Sequence, residues 1–271
     1  MKVTNMKNAI LGSMIGGVIG IAALASGYYA GTMQQAIPTA ATQPPASAST
    51  PRQTVEAIVR NYLLENPELI VEVQDSLERK QAEAAQLRVK EIIASNKDEL
   101  YNSSHDAIFG NPNGDVTVVE FFDYNCGYCK RALPDMQAIL KNDPNVRFVM
   151  KEFPILGPDS MRAHIVAQAF KALMPEKYAQ YHEILLSAAE RATEESAIAD
   201  AVKLGADETQ LREKMQSPEI RGAFQNTYQL ASQLNITGTP SYIVGNELVP
   251  GAIGAEGLIE RIAAARAAAK N

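Results

Sequence analysis

Two cysteines occur in 271 residues, Cys126 and Cys129, and they stand two apart in Phe121-Phe122-Asp123-Tyr124-Asn125-Cys126-Gly127-Tyr128-Cys129-Lys130. An apolar run precedes the pair and a helical pattern follows it, so the thiols fall where a strand hands over to the first turn of a helix. Unpaired backbone amides and the helix dipole favour an anion at that place. Cys126 should therefore ionise below the usual ~8.5 of a free thiol, which makes it the candidate nucleophile. Cys129, one turn further in, is the candidate resolving thiol, able to attack a mixed disulfide and release the bound client. Lys130 and Arg131 either add positive charge beside the thiolate or stand as solvated first-turn residues. A two-residue loop closes too little chain for the pair to act as a structural staple, which favours exchange chemistry over bracing.

Glu120 lies inside the otherwise apolar run Val116–Phe122. A carboxylate is costly to bury as an anion, so its pKa should be raised. The alternative is a strand edge open to water. The histidines, His105, His164 and His182, are all distant in sequence from the cysteines, and two cysteines provide no zinc-site spacing. No metal and no cofactor is expected.

The formal charge of -6 comes with no basic cluster, which argues against nucleic-acid binding because no phosphate-neutralising surface is apparent. The N-terminus bears on compartment. Lys2 and Lys7 precede Ala9–Ala25, which is almost wholly apolar or glycine and ends in Ala23-Leu24-Ala25, a small-x-small pattern suited to signal peptidase. Residues 1–25 are expected to be a signal peptide or a membrane anchor. The anchor reading uses Ala9–Gly31, long enough to cross ~30 Å of hydrocarbon, with Gly12, Gly16 and Gly20 at the spacing of close-packed membrane helices. On either reading the remainder is delivered across the membrane, where disulfides persist. No cysteine follows the apolar run, which excludes a lipoprotein anchor.

Residues 26–53 are mainly Ala, Thr, Gln, Pro and Ser and read as a flexible linker. A helical arm is expected over 54–102. Thr54 is a plausible N-cap, Val55, Ile58, Val59, Tyr62 and Leu63 follow at helical spacing, and Asn66-Pro67 interrupts the pattern. Asn66 should cap a second helix that runs from Pro67 to about Leu100, with Ile70, Val73, Leu77, Ala84 and Leu87 on one face and charges on the other. So narrow a stripe needs a cover, either a second copy of the chain or the catalytic domain itself. Ser103–Gly114 reads as a polar, turn-rich connection into the main domain, 103–271. There the patterning predicts a buried strand over Val116–Phe122, a helix over Lys130–Leu140 kinked at Pro134, and a parallel strand over Val146–Phe153. A helical block over about 159–234 follows, then a hairpin over Ser241–Val249 turning at Gly245-Asn246, and a closing helix over Ala255–Lys270. The order is that of an interrupted α/β domain.

Three features in this order, Glu120-Phe121-Phe122 leading to Cys126-Gly127-Tyr128-Cys129, the helical insertion, and Gly238-Thr239-Pro240 before the last hairpin, resemble the DsbA-like branch of the thioredoxin superfamily. The resemblance spans Val116 to the C-terminus and implies a thioredoxin fold interrupted by a helical insertion. It further implies that Glu120 shuttles a proton to or from Cys129, and that Pro240 is a cis proline facing the cysteines and, with Thr239, meets an extended substrate. Gly127 and Tyr128 tune the site: strongly oxidising members carry a histidine there, so a less oxidising couple with isomerase character is expected. The stretch Tyr62-Leu63-Leu64-Glu65-Asn66-Pro67-Glu68 looks like the oligomerisation arm of a subgroup that includes suppressor-of-copper-sensitivity proteins and Com-type surface antigens. That subgroup is periplasmic, with some members associated with the outer membrane.

The combined expectation is a periplasmic thiol-disulfide oxidoreductase and isomerase that acts on cysteine-containing exported proteins and self-associates through its arm. It would exchange electrons with a membrane partner, a quinone-linked oxidase or a thiol reductase. The alternatives are a dedicated oxidase, or a non-catalytic periplasmic chaperone or surface protein on a thioredoxin scaffold.

Overall fold

The computed structural model describes residues 51–270. The signal or anchor expected at 1–25, the glycine spacing at Gly12, Gly16 and Gly20, and most of the linker expected at 26–53 lie outside the described residues. The chain forms two units, 1–61 and 62–271.

In the first unit, residues 51–61 form most of helix α1 (Pro51–Glu65). The helix begins at Pro51 rather than at Thr54, because the fixed φ of proline suits a first helical turn. Arg52 pairs with Glu56 one turn on, at 2.9 Å.

In the second unit, the side chain of Asn66 caps the helix behind it and not the one ahead. Its Nδ2 donates to the Tyr62 carbonyl at 2.8 Å, and its backbone N–H donates to the same oxygen at 2.9 Å. The carbonyls at the end of α1 lack intrahelical partners, and the Asn66 amide satisfies one of them. Helix α2 (Glu68–Ser95) follows with Pro67 at its N-cap and no side-chain cap. It stops short of Leu100: Asn96 turns its Nδ2 back onto the Ile92 carbonyl at 2.8 Å, and a short helix α3 (Lys97–Tyr101) continues. Ile70, Val71, Val73, Leu77 and Leu87 of α2 are exposed, whereas Ile93 and Leu100 are fully buried against the sheet. The core thus begins ten residues before Ser103, since residues 93–100 pack beneath the strands. Among the described residues no helix is long and apolar enough to cross a membrane.

The remaining elements are β1 (Ala107–Gly110), β2 (Val116–Phe122), α4 (Gly127–Asn142), β3 (Val146–Glu152), α5 (Pro158–Leu173), a 3-10 turn at Pro175–Lys177, α6 (Tyr178–Ser187), α7 (Glu194–Lys203), α8 (Glu208–Met215), α9 (Pro218–Gln233), β4 (Ser241–Val244), β5 (Glu247–Pro250) and α10 (Gly254–Ala268). The five strands are ordered β1-β3-β2-β4-β5. β2 and β3 are parallel, in register from Val116 opposite Val146 to Phe122 opposite Glu152, and the other pairs are antiparallel. The β4–β5 hairpin turns at Gly245, whose φ of +61° favours glycine.

Two local expectations are corrected. The connection over Ser103–Gly114 contains the edge strand β1, because Ala107–Gly110 ladders onto β3 from Ala107 opposite Met150 to Gly110 opposite Arg147. Helix α4 starts at Gly127 instead of Lys130, with Cys126 itself at the N-cap, and runs through Pro134 as one element to Asn142.

Strand periodicity sorts the core into two layers. Val116, Val118 and Phe122 of β2 face the layer built from α4, α5 and α6, whereas Val119 and Phe121 face the layer built from α9 and the 93–100 segment. Alternation therefore turns Glu120 toward the layer that holds α4 and both cysteines.

Candidate active site

Cys126 has the extended backbone of an N-cap, φ -81° and ψ 114°, and its carbonyl accepts the first helical bond from Lys130 N–H at 3.0 Å. Its own N–H closes a turn onto the Asp123 carbonyl at 2.9 Å. Both cysteines stand as free thiols. Cys126 Sγ lies 3.1 Å from the Thr239 carbonyl oxygen, to which its protonated form donates. Hydrogen bonding from the Cys129 thiol, together with the backbone amides of Cys129 and Tyr128, brings the Cys126 pKa down to about 5 in spite of its partial burial. These are the donors a helix N-terminus offers to an anion. Cys129 is fully buried, and burial followed by its bond to Cys126 and the nearby Glu120 charge pushes its thiol strongly upward. The two sulfurs are thus separated in acidity, one as thiolate and one as thiol near neutrality.

Glu120 is 3% exposed in a central strand, so the reading of it as a water-facing edge residue is overturned. Burial raises its pKa to about 8, with the charges of Cys126 and Asp135 adding to the effect. Its neighbours across the sheet are Met150 on β3 and Tyr242 on β4, both buried. The Thr239–Pro240 peptide is cis. Its loop is tied on both sides: Ser241 Oγ donates to the Gly238 carbonyl at 2.8 Å, and Gly251 N–H donates to the Pro240 carbonyl at 2.9 Å.

Gly127 and Tyr128 form the outer lip. Tyr128 is 59% exposed, and the Arg131 guanidinium lies 4.3 Å from its ring centroid, a cation–π contact. Lys130 is half-buried and reaches toward the insertion. Its ammonium donates to the carbonyls of Ala188 and Glu190 in the α6–α7 loop. Asn125 grips the same loop from the other side of the motif: it donates to the Ala192 carbonyl at 2.9 Å and to Ser160 Oγ at 3.1 Å, and accepts Ala192 N–H at 2.7 Å. The helical insertion is therefore fastened by residues on either side of the cysteine pair.

The structure brings Cys126, Cys129, Glu120, Gly127, Tyr128, Thr239 and Pro240 to one end of the sheet. It also places there a group that sequence reasoning missed. Asp123, Tyr124, Glu152, His164, Tyr178 and His182 are buried beneath the turn that leads to Cys126. Asp123 accepts the N–H groups of Asn125, Ile155 and Leu156 at 2.8, 2.9 and 3.0 Å, joining the active-site turn to the loop after β3. The available signal was the Asp123-Tyr124 pair after an apolar strand, a place where buried polar groups need partners.

Residues 117–263 match the family model described as the DSBA-like thioredoxin domain, and residues 52–84 match that of the copper resistance protein ScsC N-terminal domain. A thioredoxin-like oxidoreductase from Silicibacter pomeroyi DSS-3 is 41% identical, with a TM-score of 0.60 over 63% of this chain and 98% of that one. A linker-deletion mutant of Proteus mirabilis ScsC is 26% identical, with a TM-score of 0.62 over 84% of this chain and 99% of that one. Among curated proteins, Na(+)/H(+) antiporter NhaA 3 of Salinispora tropica is 25% identical over 61% of this chain. The chain spans about a quarter of the length of the curated relatives it matches.

Proposed function

Because the chain belongs to the DSBA-like thioredoxin domain family, we propose that it is a periplasmic thiol-disulfide oxidoreductase with isomerase character, acting on exported proteins through Cys126-Gly127-Tyr128-Cys129. The fold is one of thiol-disulfide exchange. The observation that carries the reading is the Cys126 thiol, acidified at the N-cap of α4 and 3.1 Å from the Thr239 carbonyl.

In the proposed cycle the Cys126 thiolate attacks a client disulfide. A new S–S bond forms to one client sulfur and the other leaves as a thiolate. That thiolate can attack elsewhere in the client, and a later client thiolate displaces Cys126, so the disulfides are rearranged without net electron transfer. Alternatively Cys129 gives its proton to Glu120, in that residue's carboxylate form, and attacks the Cys126 sulfur. The client then leaves with both sulfurs reduced, having received two electrons, and the protein is left as the disulfide. Return to the dithiol needs a membrane thiol reductase. In the opposite direction the disulfide form takes two electrons from client thiols, and a quinone-linked oxidase restores it. Thr239 and Pro240 meet the client backbone beside the nucleophile, and Gly127 and Tyr128 set its approach.

Export rests on Lys2, Lys7 and the apolar run Ala9–Ala25. Self-association rests on the exposed Ile70, Val73, Leu77 and Leu87 of α2, a stripe that a second copy would cover. One observation favours the second reading, a dedicated oxidase. A thiolate stabilised to a pKa of about 5 without a histidine between the cysteines makes the reduced state favourable and the couple more oxidising.

The test is capture. A Cys129→Ala variant should accumulate mixed disulfides with exported proteins, each linked through Cys126 on peptide mapping and dissolved by reductant. Absence of such adducts from a folded variant would contradict the reading.

A further inference from the structure

His164 is wholly buried on α5, forty positions after Tyr124, and the cycle above does not use it. Its ring nitrogens hold different partners. Nδ1 lies 2.7 Å from Glu152 Oε2, and Nε2 accepts the backbone N–H of Tyr124 at 3.1 Å. An N–H can be accepted only at a ring nitrogen that carries no proton, so in the neutral imidazole the proton sits on Nδ1 and is donated to Glu152; Asp123 Oδ1 also faces Nε2, at 3.8 Å, and against the pull of burial the two carboxylates raise the His164 pKa. Glu152 thereby fixes the tautomer.

Glu152 also accepts the Tyr178 hydroxyl, at 2.7 Å on Oε1. The hydroxyls of Tyr178 and Tyr124 meet at 3.1 Å, and Tyr124 Oη lies 3.3 Å from His182 Nδ1. The circuit begins at the backbone of Tyr124 and returns to its side chain. Tyr124 stands two residues before the nucleophile, within the turn that Cys126 N–H closes onto the Asp123 carbonyl. An unmet N–H at this buried position would be costly, so the acceptor on His164 constrains the turn's shape.

We propose that His164, held by Glu152, is a positioning residue of the redox site: by accepting the Tyr124 amide it keeps the 123–126 turn in the shape that presents the Cys126 sulfur to the amides of Tyr128 and Cys129. The role rests on the reading of Cys126 as the nucleophile, which it deepens. Histidine suits the place because it donates to a carboxylate at one nitrogen while accepting an amide at the other. Phenylalanine would fill a similar volume and accept nothing. Glutamine would keep an acceptor oxygen for Tyr124.

The experiment compares full-length wild type, His164→Phe and His164→Gln, following the Cys126 thiolate by its ultraviolet absorbance against pH and the dithiol–disulfide equilibrium against glutathione. In His164→Phe the Cys126 pKa should rise by about one unit, and the equilibrium should move about tenfold toward the disulfide, because the reduced form loses thiolate stabilisation. His164→Gln should stay within about threefold of wild type. A folded His164→Phe that leaves both quantities unchanged overturns the inference, as does a His164→Gln shifted as far as His164→Phe. If His164→Phe does not fold, nitrogen-15 spectra of the wild-type imidazole decide. An unprotonated Nε2 coupled to the Tyr124 amide supports the role, and a protonated Nε2 overturns it. A wild-type Cys126 that titrates as an ordinary thiol would instead overturn the reading of the nucleophile.

Discussion

The Cys126 sulfur and the Thr239 carbonyl oxygen are 3.1 Å apart, across 113 positions of sequence. Cys126 at the head of α4 and the loop that opens the last hairpin therefore lie together. On the proposed reading, a client cysteine meets Cys126 beside the backbone of Thr239. The thiol's acidity gives the first prediction. Alkylation of Cys126 in the native dithiol should rise with pH about a midpoint near 5, while buried Cys129 stays unmodified. A midpoint near ~8.5, that of a free thiol, would contradict the N-cap stabilisation.

Glu120 should make stability fall with pH. Its pKa in the folded protein is about 8, above the ordinary 4.5. Between those values the folded protein holds a proton that the unfolded chain has lost, so stability declines as pH rises through this window. At ~1.4 kcal/mol per pKa unit the decline is about 3–5 kcal/mol. Glu120→Gln removes this contribution. The variant should gain on wild type in urea unfolding between about pH 5 and about pH 8.5, while release of a mixed disulfide by Cys129 slows. An equal pH response in the two proteins would contradict the assignment.

Asn125→Ala deletes three hydrogen bonds between the active-site turn and the insertion. At about 1 kcal/mol per bond, with the penalty for leaving Ala192 groups unmet, the loss should be about 2–4 kcal/mol by chemical denaturation. Faster amide exchange should be confined to the 188–192 loop and the turn. An unchanged midpoint would show that the loop is held by packing alone.

The arm can be tested without cutting the chain. Removing everything before Ser103 would strip Ile93 and Leu100 from the core. Polar replacement of Ile70, Val73 and Leu77 touches only the exposed face of α2. This variant should sediment as a single chain where wild type sediments as a dimer or trimer, and it should oxidise a reduced peptide at the wild-type rate. A wild type that is itself a single chain would contradict self-association through this face.

The parts legible in the sequence are those whose signals are local. The apolar run into Cys126, the Gly245-Asn246 turn and the long helical block all carry their own periodicity or turn chemistry, and they locate β2, the hairpin and the insertion. The edge strand β1 was not legible, because Ala107–Gly110 is a strand only by virtue of its ladder to β3. Asn66 had two helix ends within reach, and which one its side chain caps depends on where the chain turns at Pro67. Lys130 reads either as charge beside the thiolate or as a solvated first-turn residue until the α6–α7 loop arrives to accept its ammonium. Likewise Glu152 and His164 fall in separate elements, a strand and the helical block. Only the parallel pairing of β2 with β3, and α5 packing over their ends, brings them under Tyr124.

The central claim is isomerisation, and its most direct test is recovery of activity from a scrambled multi-disulfide protein by the reduced chain. The account predicts recovery by wild type, none by Cys126→Ala, and reduced recovery when the exposed face of α2 is made polar. No recovery by wild type, beside rapid oxidation of a reduced peptide by its disulfide form, would contradict isomerisation and make the protein a dedicated oxidase.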